Sequence, residues 1–157
     1  MFDLDPATNE HATVPARHHC TGPKVGGEDG RVIQWFGHVW LNFPFSESNL
    51  WAAKVLKEAE RMFEIVDVFE SVPPATLAPR TMTVLGPGDQ SVAWWRALRS
   101  ACDARAMWPR REHFPVPGQL KGSPPGPVGL FFFGPRSNYW RRVLEAHGIP
   151  TEAGAIA

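Results

Sequence analysis

From Ser48 the text SNLWAAKVLKEAERMF sets Leu50, Trp51, Val55, Leu56, Ala59, Met62 and Phe63 at three- and four-residue spacings with Lys and Glu between them. That period predicts an amphipathic helix with one face on a core, with Ser46 or Ser48 as its N-cap. Ahead of it, residues 37–41 (GHVWL) form a short apolar run ended by Asn42, Phe43 and Pro44. Its β-branched and aromatic content predicts a buried strand, since a helix so short would not persist. Residues 64–72 alternate poorly and fit either an extension of the helix or an edge strand before Pro73 and Pro74.

Residues 81–85 (TMTVL) predict a strand closed by Gly-Pro-Gly, and residues 91–102 (SVAWWRALRSAC) a helix with Ser91 as cap and Val92, Trp95, Leu98 and Cys102 on one face. Residues 104–108 and 128–133 are two further strand candidates, and the unbroken VGLFFF of the second fits a strand buried on both faces. Residues 137–147 close as a helix stopped by Gly148 and Pro150. Twenty of the 30 Gly and Pro residues gather at 22–30, 73–88 and 115–129, which read as loops. Strand, glycine-containing loop and helix in succession predict an α/β fold.

With 157 residues, 43% of them hydrophobic, the chain can bury the core of one domain and hardly two. No apolar run is long enough for a membrane span and the acidic opening is not a secretory signal, so a cytoplasmic location is expected. Cys20 and Cys102 are far apart, which leaves no disulfide framework and predicts two free thiols. The net charge of zero conceals an asymmetry: residues 1–90 hold 7 bases and 12 acids, residues 91–157 hold 9 bases and 4 acids. The arginine-rich second half suits either a phosphate-facing surface or a solvated face balancing the acidic half.

Two chemistries are set aside at this level. His18, His19 and Cys20 are adjacent, but neighbours on a strand point to opposite faces, and no HxxxH or CxxC completes a ligand set, so no metal site is expected. No GxSxG elbow is present for a hydrolase, and Ser91 is explained as a cap. The informative tetrapeptide is Asn42, Phe43, Pro44 and Phe45, at the end of a predicted strand and before a helix, the position where α/β sheets bind ligands. A transferase acting on an exocyclic amine needs acceptors for two N–H bonds and a flat wall for the ring. The Asn42 side-chain oxygen, a backbone carbonyl of Phe43 or Pro44, and the Phe45 ring can supply them.

In this order of segments the chain resembles the phage-type DNA adenine-N6 methyltransferase family. Leu4, Asp5, Pro6 and Ala7 look like the family's Leu-Asp segment, which precedes a short helical stretch. Asp29, Gly30, Trp35, Gly37, Trp40, Leu41, Asn42, Pro44 and Phe45 fall in register with its Asp-Gly, tryptophan, strand and Asn-Pro-Pro-Tyr run. TVLGPGDQSVAWWRAL, DARAMWPRREHF and PVGLFFFG follow in the family's order. Phe43 replaces the motif's first proline and Phe45 its tyrosine, little sequence stands ahead of Leu4, and no glycine turn follows Asp5.

The resemblance implies a Rossmann-like fold, a mainly parallel sheet with an antiparallel C-terminal strand, in a single domain. It implies methyl transfer from S-adenosylmethionine to adenine in DNA, without metal, in a bacterial or phage-infected cell. Asn42, Phe43, Pro44 and Phe45 are then catalytic, Asp5 would accept the ribose hydroxyls and Asp29 the cofactor's adenine amine. Arg110, Arg111 and Lys121 would contact DNA, Arg110 and Arg111 otherwise covering apolar surface with their stems. A catalytically silent DNA- or partner-binding relative is the alternative, and a second chain or second copy stays open as what completes the cofactor site.

Overall fold

A computed structural model describes residues 1–9, 11–12, 14–64, 78–108 and 127–154. Seven strands form one mixed sheet: β1 (Phe2–Asp5), β2 (Ala16–His19), β3 (Gly37–Asn42), β4 (Pro79–Pro87), β5 (Ala104–Trp108), β6 (Val128–Phe133) and β7 (Thr151–Ala153), in the order β2-β1-β3-β4-β6-β5-β7. The first four run parallel, whereas β6 is antiparallel to β4 and β5, and β7 is antiparallel to β5. The chain is therefore α/β, parallel where it begins and antiparallel where it ends.

Among the described residues three α-helices cover the sheet: α1 (Ser48–Glu64), α2 (Ala93–Ala101) and α3 (Ser137–Ala146). The main core joins Leu4, Val39, Leu41, Phe43, Met82, Val84, Phe131 and Phe133 of the strands and their ends to Trp51, Val55, Ala59, Trp95 and Leu98 of α1 and α2. Leu85, Ala106, Val128, Leu130 and Ile149 form a second core with Trp40, Phe45, Trp140 and Leu144 on the opposite face, where α3 lies. Strand alternation produces this division, sending Phe131 and Phe133 one way and Leu130 and Phe132 the other. All six residues of β6 are buried, as the unbroken apolar run predicts. Among its described side chains the helical stripe of α1 holds too, except at Leu50, which is 59% exposed in the first turn.

Several sequence expectations are corrected. β4 extends from Pro79 through Pro87 and β6 takes in Val128 and Gly129, so parts of two Pro/Gly-rich stretches are strand. The prolines stand at the first and last positions of β4, where a missing ladder donor is tolerated. Ser48 does not cap α1: its hydroxyl donates to the Phe45 carbonyl at 2.7 Å, because a 3-10 turn over Phe45–Glu47 runs straight into the helix. Nor does Ser91 cap α2, which begins at Ala93 behind Val92 without a side-chain cap; the Ser91 hydroxyl and N–H both turn to Asp89. Among the described residues after β1 there is a turn and then β2, not a short helix. Residues 64–72, where helix and edge strand were both left open, lie outside the described residues after Glu64. Cys20 and Cys102 are free and buried, and among the described residues no helix is long and apolar enough to cross a membrane.

Candidate functional site

The strand order reverses between β1 and β3. From β1 the chain moves outward to β2, then β3 pairs on the other side of β1 with Leu4 beside Val39. In an open parallel sheet the carboxyl ends of two such strands are where a ligand crevice usually forms. Three segments converge there: Asp5–Ala7 after β1, Asp29–Arg31, and Asn42–Glu47 after β3. Because Leu4 lies level with Val39, Asn42 stands two residues beyond Asp5, about 7 Å further along the strands.

Asp5 is the buried charge of this end, 3% exposed. Its Oδ1 accepts the Ala7 N–H at 3.2 Å, and its backbone carbonyl accepts the Cys20 N–H at 2.9 Å. Burial pushes the Asp5 carboxyl above its ordinary range, while the Ala7 N–H, His19 and Thr8 pull it back. Asp5 is the last residue of β1.

Asn42 is the last residue of β3, level with Leu85 of β4 and half-buried. Among the described residues its carboxamide has no hydrogen-bond partner. Phe43 points the other way, 1% exposed, its ring edge-on to Trp94 at 5.8 Å and against Gly86, where any β-carbon would lie 2.8 Å from the ring. It is a core residue whose contribution to a site is confined to its backbone. Pro44 is exposed, and its carbonyl already accepts the Glu47 N–H at 3.0 Å, leaving the Phe43 carbonyl as the better second acceptor. Phe45 packs half-buried against the second core.

Asp29 serves the turn. Its carboxylate takes the Arg31 N–H at 2.9 Å and the Arg31 guanidinium at 2.7–3.2 Å, and the Arg31 side chain holds it well below the usual carboxylate range. Arg31 also donates to Glu47 at 3.1 Å and lies over Trp51 at 5.9 Å. It thus ties the 29–31 loop to the turn that follows Asn42. Beneath it the buried Trp35 indole donates to the Gly30 carbonyl at 2.6 Å, and Gly30 is pressed against Pro6. The Arg31–Glu47 bridge escapes sequence reasoning because its partners are sixteen residues apart; the alternation of acid and base in Asp29, Gly30, Arg31 hints at the local pair, and Trp35 was legible only as part of the resemblance. Arg110, Arg111 and Lys121 lie outside the described residues.

A separate apolar groove of about 710 Å³ runs along the α3 face of the sheet, with Phe2, Trp40, Thr83, Trp108, Phe132 and Tyr139 among its walls. The adjacent histidines behave as alternation requires. His19 Nε2 pairs with the Val14 carbonyl at 3.0 Å while His18 turns to Glu28 at 2.5 Å. Compared with models of known families, with curated proteins and with solved structures, the chain matches none.

Proposed function

We propose that the chain is a DNA adenine-N6 methyltransferase that uses S-adenosylmethionine and is built on a Rossmann-like sheet. The observation that carries this reading is Asn42: a half-buried carboxamide, without a hydrogen-bond partner among the described residues, at the carboxyl end of β3, one strand from the buried Asp5 across the point where strand order reverses. The four parallel strands at the start of the sheet support an α/β scaffold; the three antiparallel pairings that follow exceed the single antiparallel strand that the resemblance implies.

Asp5 suits the cofactor's ribose, since a buried carboxyl at a strand end gains by accepting hydroxyl donors. Asp29, paired with Arg31, shapes the loop. When bound, the cofactor supplies an electrophilic methyl group on a sulfonium. The chain's own part is to hold a flipped adenine: the Asn42 oxygen and the Phe43 carbonyl accept the two amine hydrogens, which draws the nitrogen lone pair out of ring conjugation, and Phe45 offers an aromatic wall. DNA phosphates meet the arginine-rich half, where Arg96, Arg99, Arg136 and Arg142 are exposed.

Calorimetric titration with S-adenosylmethionine and its demethylated product tests the cofactor half of the reading, with micromolar binding of both expected. The engagement of Asp29 by Arg31 favours the second reading, a silent DNA- or partner-binding relative. Salt-dependent DNA binding without cofactor affinity would select that one instead.

A further inference from the structure

The end of β2 carries a group of side chains that the proposed methyl transfer does not use. His18 and Cys20 are two residues apart, so an extended backbone sends them to the same face. His18 and His19, as strand neighbours, face apart, whereas His18 and Cys20 do not. The third member comes from the turn. Residues 22–28 fold back on themselves through the Gly22 N–H to the Glu28 carbonyl at 2.9 Å and the Gly27 N–H to the Gly22 carbonyl at 3.0 Å. Gly22 at φ 84° and Gly26 at φ 79° take the left-handed conformations the reversal needs. Gly27 sits so close to Thr21 that a β-carbon there would lie 1.9 Å from its hydroxyl. This tight return delivers Glu28 to His18, whose Nε2 lies 2.5 Å from Oε2.

We propose that His18, Cys20 and Glu28 form a zinc site that fastens the 21–28 turn to the end of β2. One ligand atom from each lies within 4.8 Å of the other two. Bonds of about 2.0–2.3 Å to a tetrahedral ion place its ligand atoms roughly 3.3–3.8 Å apart. His18 and Glu28 are 41% and 56% exposed, so both can turn onto an ion without unpacking the core, whereas Cys20 is fixed in it at 1% exposure. A thiolate, an imidazole and a carboxylate make a mixed donor set suited to zinc, with a fourth position for water.

Without metal, burial and the neighbouring charges of Glu28, Asp5 and Asp29 push the Cys20 thiol up to about 12. As the S–Zn bond forms, the S–H proton passes to solvent, and the ion neutralises the carboxylates that disfavoured the thiolate. The Cys20 N–H and carbonyl are bonded to the Asp5 carbonyl and the Thr8 N–H, so the site is joined directly to the crevice, although its occupancy does not depend on methyl transfer.

The test uses the full tag-free chain, reduced and stripped with a chelator, titrated with Zn²⁺ and separately with Co²⁺. The expected result is one zinc per chain, a thiolate-to-cobalt charge-transfer band, and a higher Tm with zinc. Cys20→Ser removes the band. His18→Ala and Glu28→Gln keep the metal-free fold, and each lowers zinc affinity by at least about tenfold. Absence of the charge-transfer band would overturn the proposal, as would its survival in Cys20→Ser. If Cys20→Ser does not fold, the two exposed variants decide: zinc affinity unchanged in both would equally overturn it.

Discussion

Gly30→Ala probes how the candidate crevice is held together. A β-carbon on Gly30 would lie 1.9 Å from the Pro6 carbonyl oxygen and 2.7 Å from its carbon. A comfortable carbon–oxygen contact needs at least about 3.3 Å, so the two backbones must part by about 1.4 Å. Neither can yield by turning a side chain, because the obstacle is main chain on both sides. Moving the 29–31 loop outward draws the Gly30 carbonyl away from the Trp35 indole, now 2.6 Å distant and fully buried. Overpacking of this kind costs about 1–3 kcal/mol and a buried hydrogen bond left unmade about 1–3 kcal/mol. Partial relaxation shares these costs, and the expected loss is about 2–4 kcal/mol. In a domain of this size that lowers Tm by about 4–16 °C. Urea denaturation followed by tryptophan fluorescence reads it directly. Cofactor affinity should fall as well, since the displaced loop borders the crevice. A Gly30→Ala protein within 0.5 kcal/mol of the parent would refute the packing argument.

Two further expectations concern protons at the same end of the sheet. Burial raises the thiols of Cys20 to about 12 and Cys102 to about 11, so their contribution to stability is full below pH 9.0 and is lost as pH rises through those values. In metal-free native protein at pH 8 neither should react with a thiol reagent, and both should react once urea unfolds the chain; rapid labelling of the native form would contradict their burial. The Asp5 carboxyl is also raised by burial, so its stabilising effect is full below pH 3.8 and is lost as pH rises through its folded pKa. Asp5→Asn keeps an acceptor for Ala7 and removes the buried charge, so Tm at pH 7 should equal or exceed the parent's while S-adenosylmethionine affinity drops at least about tenfold. An unchanged affinity would remove Asp5 from the site.

Much of the framework was legible because its signals are local. The α1 stripe, the GHVWL strand and the buried LFFF strand each follow from the period of apolar positions, and Gly148, at φ 74° past the end of α3, does what a helix-ending glycine does. Leu50 departs from its stripe because α1 continues directly from a 3-10 turn, so its first turn is set by that junction and not by the sheet. β7 was invisible: three residues, Thr151–Ala153, with no apolar pattern, held at an edge by pairing with β5. The insertion of β6 between β4 and β5 was equally invisible, since pairing partners are not written in the strand itself. At the site, Asn42 was legible from its strand-end position, and Asp5 only through the Leu-Asp segment of the resemblance. The Arg31 bridge and the meeting of His18, Cys20 and Glu28 were not, because both depend on turns that bring separated residues together.

In the proposed reaction Asn42 holds the amine of a flipped adenine. The most direct measurement is transfer of labelled methyl from S-adenosylmethionine to unmethylated duplex DNA, with the product nucleosides resolved, for the parent chain and for Asn42→Ala. The account predicts N6-methyladenine from the parent and at least about a hundredfold less from Asn42→Ala, with thermal stability and cofactor affinity retained. Equal incorporation by both proteins, or no methylated adenine from a parent that binds the cofactor, would contradict it.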